Sequence, residues 1–546
     1  MNPGSPTQSV SDAAAPTRAI GAIGLTFVAV GGVVGSGWLF GPLFAPKVAG
    51  PAAVIAWILG GAMILLAALP FAEVAAMLPV VGGLGRLPQF SHGRVVGMFI
   101  GWVAWIGYVT AAPIEVQALL EYVSNESAFR WLFNEGHGTG SNPLSAGGLL
   151  VAAVLLVGFT VINSYGVKLF AKVNTPLTWF KIVVPVVAAA ALLTKFSPAN
   201  FTDHGFAPDG ATGVFSAIAT GGVVFSYLGF RHALDMAGEA KRPHVTVPVA
   251  LTVSLLICTA LFVVVQIAFI GAVPSESLND GWSNLTLEGA NGPIAALLAA
   301  VGMTAMANLV LTDAIAGPLG AGLVASASTA RLSVAVSRDG LFPRWVQAFS
   351  HRGVPLRALL MNTVVGLAML MVFRNGWQEI LTFNTGAIVL SFCAGPVTLV
   401  ALRHQLPDRR RPFRLPRATL VAVSAFVVVG LIVHWTGWDT LRRIAVPIAA
   451  GAVLFAWRVW RDHARGEAKV NYEIREASWL VPWFAGLFAI SWMGSFGGGR
   501  GWLSPALGSV VTAVLAIAIF PLAVHLRLPD RSALSYVEED REIPAE

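Results

Sequence analysis

Apolar residues run along this chain in stretches of about twenty, parted by short polar, basic or Gly/Pro-rich pieces. A stretch of that length crosses a ~30 Å hydrocarbon core as a helix. Such stretches lie near 20–46, 51–72, 94–118, 147–165, 174–194, 212–234, 247–272, 303–330, 356–373, 380–402, 419–436, 444–460, 478–496 and 503–526. The pattern predicts an all-α polytopic membrane protein with fourteen spans, twelve being the competing count. The stretch 292–335 is too long for one crossing, so Pro293 to Met303 is expected to form a short surface helix ahead of the eighth span.

Composition sharpens this picture. Charged residues are 12% of the chain, against ~25% in soluble domains. The net charge of +7 raises the question of nucleic acid, but the basic residues sit in short loops, where they set topology. With the N-terminus inside, 25 Lys and Arg fall on the inner side. Seven fall outside: Lys47, Arg130, Lys195, Arg374, Arg442, Arg443 and Arg500. Lys181, Arg231 and Arg331 lie within spans. The split predicts both termini in the cytoplasm of a plasma-membrane (bacterial cytoplasmic membrane) protein, and no nucleic-acid partner. Cys258 and Cys393 lie in apolar runs and read as buried small hydrophobes, without metal-ligand spacing. Residues 1–19 lack the pattern of a secretory signal and read as a disordered cytoplasmic tail.

The first span carries Gly31-Gly32-Val33-Val34-Gly35-Ser36-Gly37, and the sixth carries Gly221-Gly222-Val223-Val224-Phe225-Ser226 at an offset of 190 residues. The echo suggests a duplicated half whose copies face opposite ways, the inverted-repeat layout of many secondary transporters. The expected organisation is a transport core over 20–403, with halves 20–195 and 212–403. A basic cytoplasmic loop follows at 404–418, then accessory spans over 419–527 and an acidic cytoplasmic tail over 528–546, of which Glu538 to Glu546 reads as solvated. The accessory spans read as scaffold or as the contact of a homodimer.

Two glycines flanking Ser36 weaken a helix by about 1 kcal/mol each relative to alanine. Backbone groups freed in hydrocarbon need partners, which a polar solute supplies. Amides at the start of the second half-helix would then face an anion such as a carboxylate. Close packing by small residues is the other reading. The matching site lies at Ser226, Tyr227, Leu228, Gly229 and Phe230.

Charges inside spans are costly and usually functional. Lys181 lies nine residues past Lys172, ~13 Å deeper at helical rise. Burial disfavours an ammonium, so Lys181 reads as a proton carrier or, failing that, as a snorkelling or structurally paired lysine. Arg231 keeps its proton and either forks onto a carboxylate or pairs with Asp235, four residues on. Glu115 and Asp313 read as proton acceptors, as partners of Lys181 or Arg231, or as hydrogen-bond hubs. Glu73 and Glu239 sit near inner span ends and read as loop braces. No P-loop, HExxH or GxSxG motif occurs. The chain therefore reads as no enzyme, without cofactor, driven by an ion gradient such as that of protons or by the substrate's own gradient.

These pieces resemble the amino acid–polyamine–organocation (APC) superfamily of permeases over residues 20–420. The resemblance rests on Gly35-Ser36-Gly37-Trp38-Leu39-Phe40, on Glu73 through Pro79 to Gly82-Gly83, and on Ser226-Tyr227-Leu228-Gly229-Phe230. Gly238-Glu239-Ala240-Lys241-Arg242-Pro243, Arg338-Asp339-Gly340-Leu341-Phe342-Pro343 and Arg411-Pro412-Phe413-Arg414-Leu415-Pro416 complete it in order. It implies a 5+5 inverted repeat with discontinuous helices one and six. It implies that Gly35, Ser36 and Gly37 hold a substrate α-carboxylate, while carbonyls around Phe225, Ser226 and Leu228 meet its amino group. Lys181 falls where proton-coupled members carry a lysine in place of a sodium ion. Several members have Glu where this chain has Arg231. That reversal, with the two extra terminal spans, is similar to bacterial aspartate:proton symporters. The implied substrate is an acidic amino acid, its side chain facing Arg231 or His232. An exchanger, or a permease for neutral or cationic amino acids or polyamines, is the alternative on the same fold. A channel and a membrane-embedded enzyme fit the broken-helix pattern less well.

Overall fold

The computed structural model describes residues 20–80, 82–134, 143–165, 167–287, 292–373, 376–464 and 472–542. The expected tail 1–19, the outer-loop Arg374 and residues 543–546 lie outside them. Among the described residues the regular structure is helical, with isolated bridges at Ile20–Ala240 and Phe133–Leu144 and irregular connections between the helices. In chain order the main helices of the first half are α1 (Ala22–Val33), α2 (Gly37–Ala49), α3 (Ala53–Met77), α4 (Gln89–Val123), α5 (Ala146–Ser164) and α6 (Val167–Leu193). Next come α7 (Gly210–Thr220), α8 (Val223–Tyr227), α9 (Arg231–Asp235), α10 (Pro243–Ala272), α11 (Pro293–Ala300), α12 (Thr304–Arg338) and α13 (Leu356–Val372). The chain closes with α14 (Trp377–Ser391), α15 (Ala394–Gln405), α16 (Ala418–Trp435), α17 (Trp438–Ala464), α18 (Leu480–Met493), α19 (Pro505–His525) and α20 (Asp530–Glu542).

Among the described residues, ten helical stretches are long and apolar enough to cross a membrane, or eleven if the bent pair α7/α8–α9 is one span. Each apolar stretch read from the sequence coincides with a helix or a helix pair. The expected short helix at Pro293–Met303 is α11, set off from α12 by Gly302 at φ 83°.

Burial explains the arrangement. Helix α4 is apolar around its whole girth and nearly all of it is buried, as such a helix must be at the centre of a bundle. It packs on α12 and α14, while α10 packs on α3 and α1. Helix α17 turns Val446, Val453, Trp457 and Trp460 outward.

Two features tie down the ends of the spans. Arg403 forks onto the buried Glu73 carboxylate at 2.9 and 2.6 Å, Arg411 lies 3.5 Å from it, and the Leu415 amide donates to it at 2.6 Å. This knot anchors the loop after α15 to the C-terminal end of α3. Glu73→Gln is expected to destabilise the detergent-solubilised protein by about 2–3 kcal/mol, since hydrogen bonds to a charged group are the strong ones. A melting temperature equal to wild type would show the knot to be idle.

The chain after residue 528 packs back onto the bundle ahead of the acidic segment Glu538–Glu546. Helix α20 buries Ala533 and Val537, an i,i+4 apolar pair, against α4 and α15. Leu528 N–H donates to Ser91 O at 2.9 Å, Gln405 Nε2 donates to Leu528 O at 2.8 Å, and Tyr536 donates to Glu473 Oε1 at 2.8 Å.

Candidate functional site: two broken helices around a buried cavity

Helix α1 ends at Val33, Val34 leaves helical geometry (φ −82°, ψ 80°), and Ser36 stands at the N-cap of α2. The flanking glycines are required by crowding. A Cβ on Gly35 would lie 2.7 Å from Glu115 Oε1, and one on Gly37 would lie 2.1 Å from Ser226 Oγ. The unpaired amide at the break has a partner. Ser36 N–H donates to Glu115 Oε2 at 2.9 Å, and Ser36 Oγ donates to Glu115 Oε1 at 3.1 Å. The break is thus a two-donor cradle holding a carboxylate, as the start of a helix favours.

The sixth stretch is also interrupted, but earlier than expected. The left-handed residue is Gly222 (φ 89°), and the axis bends by 43° between α7 and the segment Val223–Asp235. Residues Val223–Tyr227 are helical, and only Leu228–Phe230 tighten to a 3₁₀ turn. The sequence echo therefore does not place the two breaks in register: the first span opens after its Gly-Gly-Val-Val, the sixth opens before its Val-Val. Ser226 Oγ donates to Gly222 O at 2.7 Å and Tyr227 OH to Trp57 O at 3.0 Å, so both hydroxyls are spent on backbone. Gly229 touches the first span, where a Cβ would lie 2.2 Å from the carbonyl carbon of Gly32.

Between the breaks lies a small cavity whose lining includes Val33, Glu115, Phe225, Gly229, Arg231 and His232. Of the residues expected at the site, Glu115, Phe225, Gly229 and Arg231 line it, and Gly35 and Ser36 adjoin it through Glu115. Lys181 is fully buried, and its ammonium donates to Gly31 O, in the last turn of α1. Glu115 and Asp313 are the acidic groups that act on it electrostatically. Asp313 Oδ2 accepts from Trp38 Nε1 at 3.1 Å, and its Oδ1 is buried without a hydrogen-bond partner.

Arg231 differs from the simple i,i+4 pair with Asp235. Its guanidinium stacks over the Tyr108 ring at 4.5 Å and donates through one NH₂ to Leu228 O at 2.8 Å. Its Nε–H is buried without a partner. Tyr108 OH in turn donates to Asp235 Oδ1 at 3.1 Å, so the acid is reached through the tyrosine. His232 Nδ1 is 2.8 Å from Ser328 Oγ. Glu239 is held by Arg331 at 2.8 Å, outside the cavity. Among the described residues no group of three His, Cys, Asp or Glu is placed to hold a metal ion.

Three residues that the sequence reading passed over complete the site: Tyr108, Trp377 and Glu121. Trp377 Nε1 donates to Ser36 Oγ at 2.9 Å, and Glu121 Oε1 accepts the Trp377 amide at 2.7 Å. Trp377 and Glu121, near span ends, read from sequence as interfacial anchors, and Tyr108, in mid-span, reads as one more aromatic of an apolar stretch; nothing local marks them as pointing inward.

A buried carboxylate cradle in an interrupted helix, an intramembrane lysine and a stacked arginine define a solute transporter of the broken-helix class. The family model described as amino acid permease matches residues 20–457, and the chain belongs to that family. Over 517 residues the chain is 32% identical to an aspartate-proton symporter of Bacillus subtilis, covering 94% of this chain and 97% of that one. It is 33% identical to a glutamate/serine transporter of the same organism, covering 88% and 89%. A methylthioribose transporter of that organism is 28% identical, over 80% and 92%. The protein is a multi-pass membrane permease for amino acids, not an enzyme.

Proposed function

We propose that this permease takes up an acidic amino acid together with a proton, by alternating access. The proposal includes a 5+5 inverted-repeat core over 20–403, fourteen spans and both termini in the cytoplasm of a bacterial cytoplasmic membrane. Spans over 419–527 serve as scaffold, and the outward row on α17 is where a homodimer contact would fall. The relatives named for aspartate-proton symport and for glutamate and serine transport support the substrate class.

The observation that carries the reading is the grip of Ser36 on Glu115. Both Ser36 donors already hold a carboxylate in the geometry an amino acid's α-carboxylate needs. Protonation of Glu115 removes the competing anion, and the substrate's α-carboxylate takes its place. Proton and substrate then enter as a linked pair, because neither state alone leaves the cradle satisfied. Lys181 offsets the charge on Glu115 and Asp313 while they are ionised. Arg231 turns its unpartnered Nε toward the side-chain carboxylate. In doing so it vacates Leu228 O, which accepts from the substrate ammonium.

Glu115→Gln keeps the shape and removes the competitor. The variant in proteoliposomes is expected to show a several-fold lower KM for aspartate and no accumulation driven by an imposed pH difference. Wild-type KM together with wild-type pH-driven accumulation would sink the competition. Uptake into preloaded against empty vesicles separates symport from exchange.

A further inference from the structure

We infer that Trp377 is the lid over both helix breaks and that Glu121 is the latch holding it shut. Trp377 is the first residue of α14, directly after Gly376 at φ 88°, and its side chain is 1% exposed. Its indole meets the first break through the hydrogen bond to Ser36 Oγ. It meets the second break at Gly222, where a Cβ would come within 3.3 Å of the ring. The same ring stacks on Phe40 at 4.8 Å and Phe44 at 5.8 Å, and takes Phe225 edge-on at 5.7 Å. Phe225 lines the cavity, so the stack closes one end of it.

One side chain thus bridges the start of α2 and the bend before α8. Any path to the cavity from that end displaces the indole. The backbone under it is held by Glu121, whose Oε1 accepts both the Trp377 amide and Gln117 Nε2, at 2.7 and 2.8 Å. A carboxylate on the first amide of a helix is a charge-assisted bond at the favourable end of the dipole. Glu121 acts on the cavity only through Trp377, which makes it a positioning residue. Which face of the membrane the lid closes rests on the orientation proposed above, which makes it the outer one.

The test uses the full chain with a reporter thiol at Val33→Cys, on the cavity wall. The native Cys258 and Cys393 are buried, and the protein without Val33→Cys gives the background rate. Labelling by a charged, membrane-impermeant thiol reagent is timed in intact cells and in inside-out vesicles, without substrate. Trp377→Ala is expected to speed labelling about tenfold in intact cells alone, the effect of shifting a closed population by one contact's worth. Trp377→Phe keeps the stack and loses the indole N–H, so its effect is smaller, and Glu121→Gln falls between. An increase confined to inside-out vesicles supports the lid and overturns the proposed orientation. Unchanged rates, or equal increases from both faces, overturn the lid. If Trp377→Ala does not fold, Trp377→Phe and Glu121→Gln decide, each checked for a wild-type elution profile. Because no amino acid is present, failure here is separate from failure of the substrate assignment.

Discussion

Lys181→Ala is expected to abolish accumulation of aspartate driven by a pH difference, bringing the inside-to-outside ratio down to about one. The ammonium donates to the Gly31 carbonyl, and Glu115 and Asp313 are acids near enough to act on it through their charge. Removing one member of a buried charged set costs about 3–5 kcal/mol, because the others stay behind unpaired. Glu115 and Asp313 then hold their protons rather than exchange them, and the cradle no longer reports the proton gradient. Exchange of labelled for unlabelled substrate, which needs no net proton movement, persists at a reduced rate. The measurement is labelled aspartate uptake into proteoliposomes with an imposed pH step, with and without a proton ionophore. Accumulation at the wild-type level would remove Lys181 from coupling and leave Glu115 to act alone.

Arg231→Ala is expected to reverse selectivity. A hydrogen bond to a charged group is worth about 1.5–3 kcal/mol, so kcat/KM for aspartate and glutamate should fall roughly tenfold to a hundredfold. Serine uptake should change little, since serine presents no second carboxylate. Arg231→Lys should resemble the alanine variant, because lysine lacks both the fork and the planar stack on Tyr108. Tyr108→Phe keeps the stack but frees Asp235, and separates positioning of the guanidinium from its charge. Competition uptake with the three amino acids reads all of these variants. Undiminished aspartate uptake in Arg231→Ala would assign selectivity elsewhere in the cavity, with His232 the next residue to replace.

Much of this was legible in the sequence. Apolar stretches of membrane length have one stable conformation in hydrocarbon, so each is a helix wherever it ends up packing. Gly35-Ser36-Gly37 marked the first break because two glycines in one turn are unfavourable unless crowding demands them. The second break was found on the right segment and misplaced by several residues. Gly222 rather than Gly229 takes the left-handed conformation, and repeat matching carried the register of one helix onto another that opens elsewhere. Partners distant in sequence were beyond reach. Nothing near Arg231 announces Tyr108, 123 positions earlier in the chain. Trp377 and Glu121 look like any interfacial tryptophan and acid until the fold turns them inward. The terminal helix gives only a faint signal in the sequence: Ala533 and Val537 are a two-residue stripe just ahead of the acidic segment Glu538–Glu546.

Where Gly229 meets Gly32 there is no room for even a methyl group, so the backbones of the two interrupted helices touch. Pieces joined that tightly travel together. In the binding mode proposed above, the zwitterionic head of an amino acid would be carried by one rigid jaw that drift in sequence can scarcely reshape. What would remain free to diversify among relatives is the set of side chains lining the cavity around it, where Arg231 faces the cargo's side chain in the reading proposed above. That would let one chassis serve acidic, neutral and even non-amino-acid cargoes by changing a few residues there.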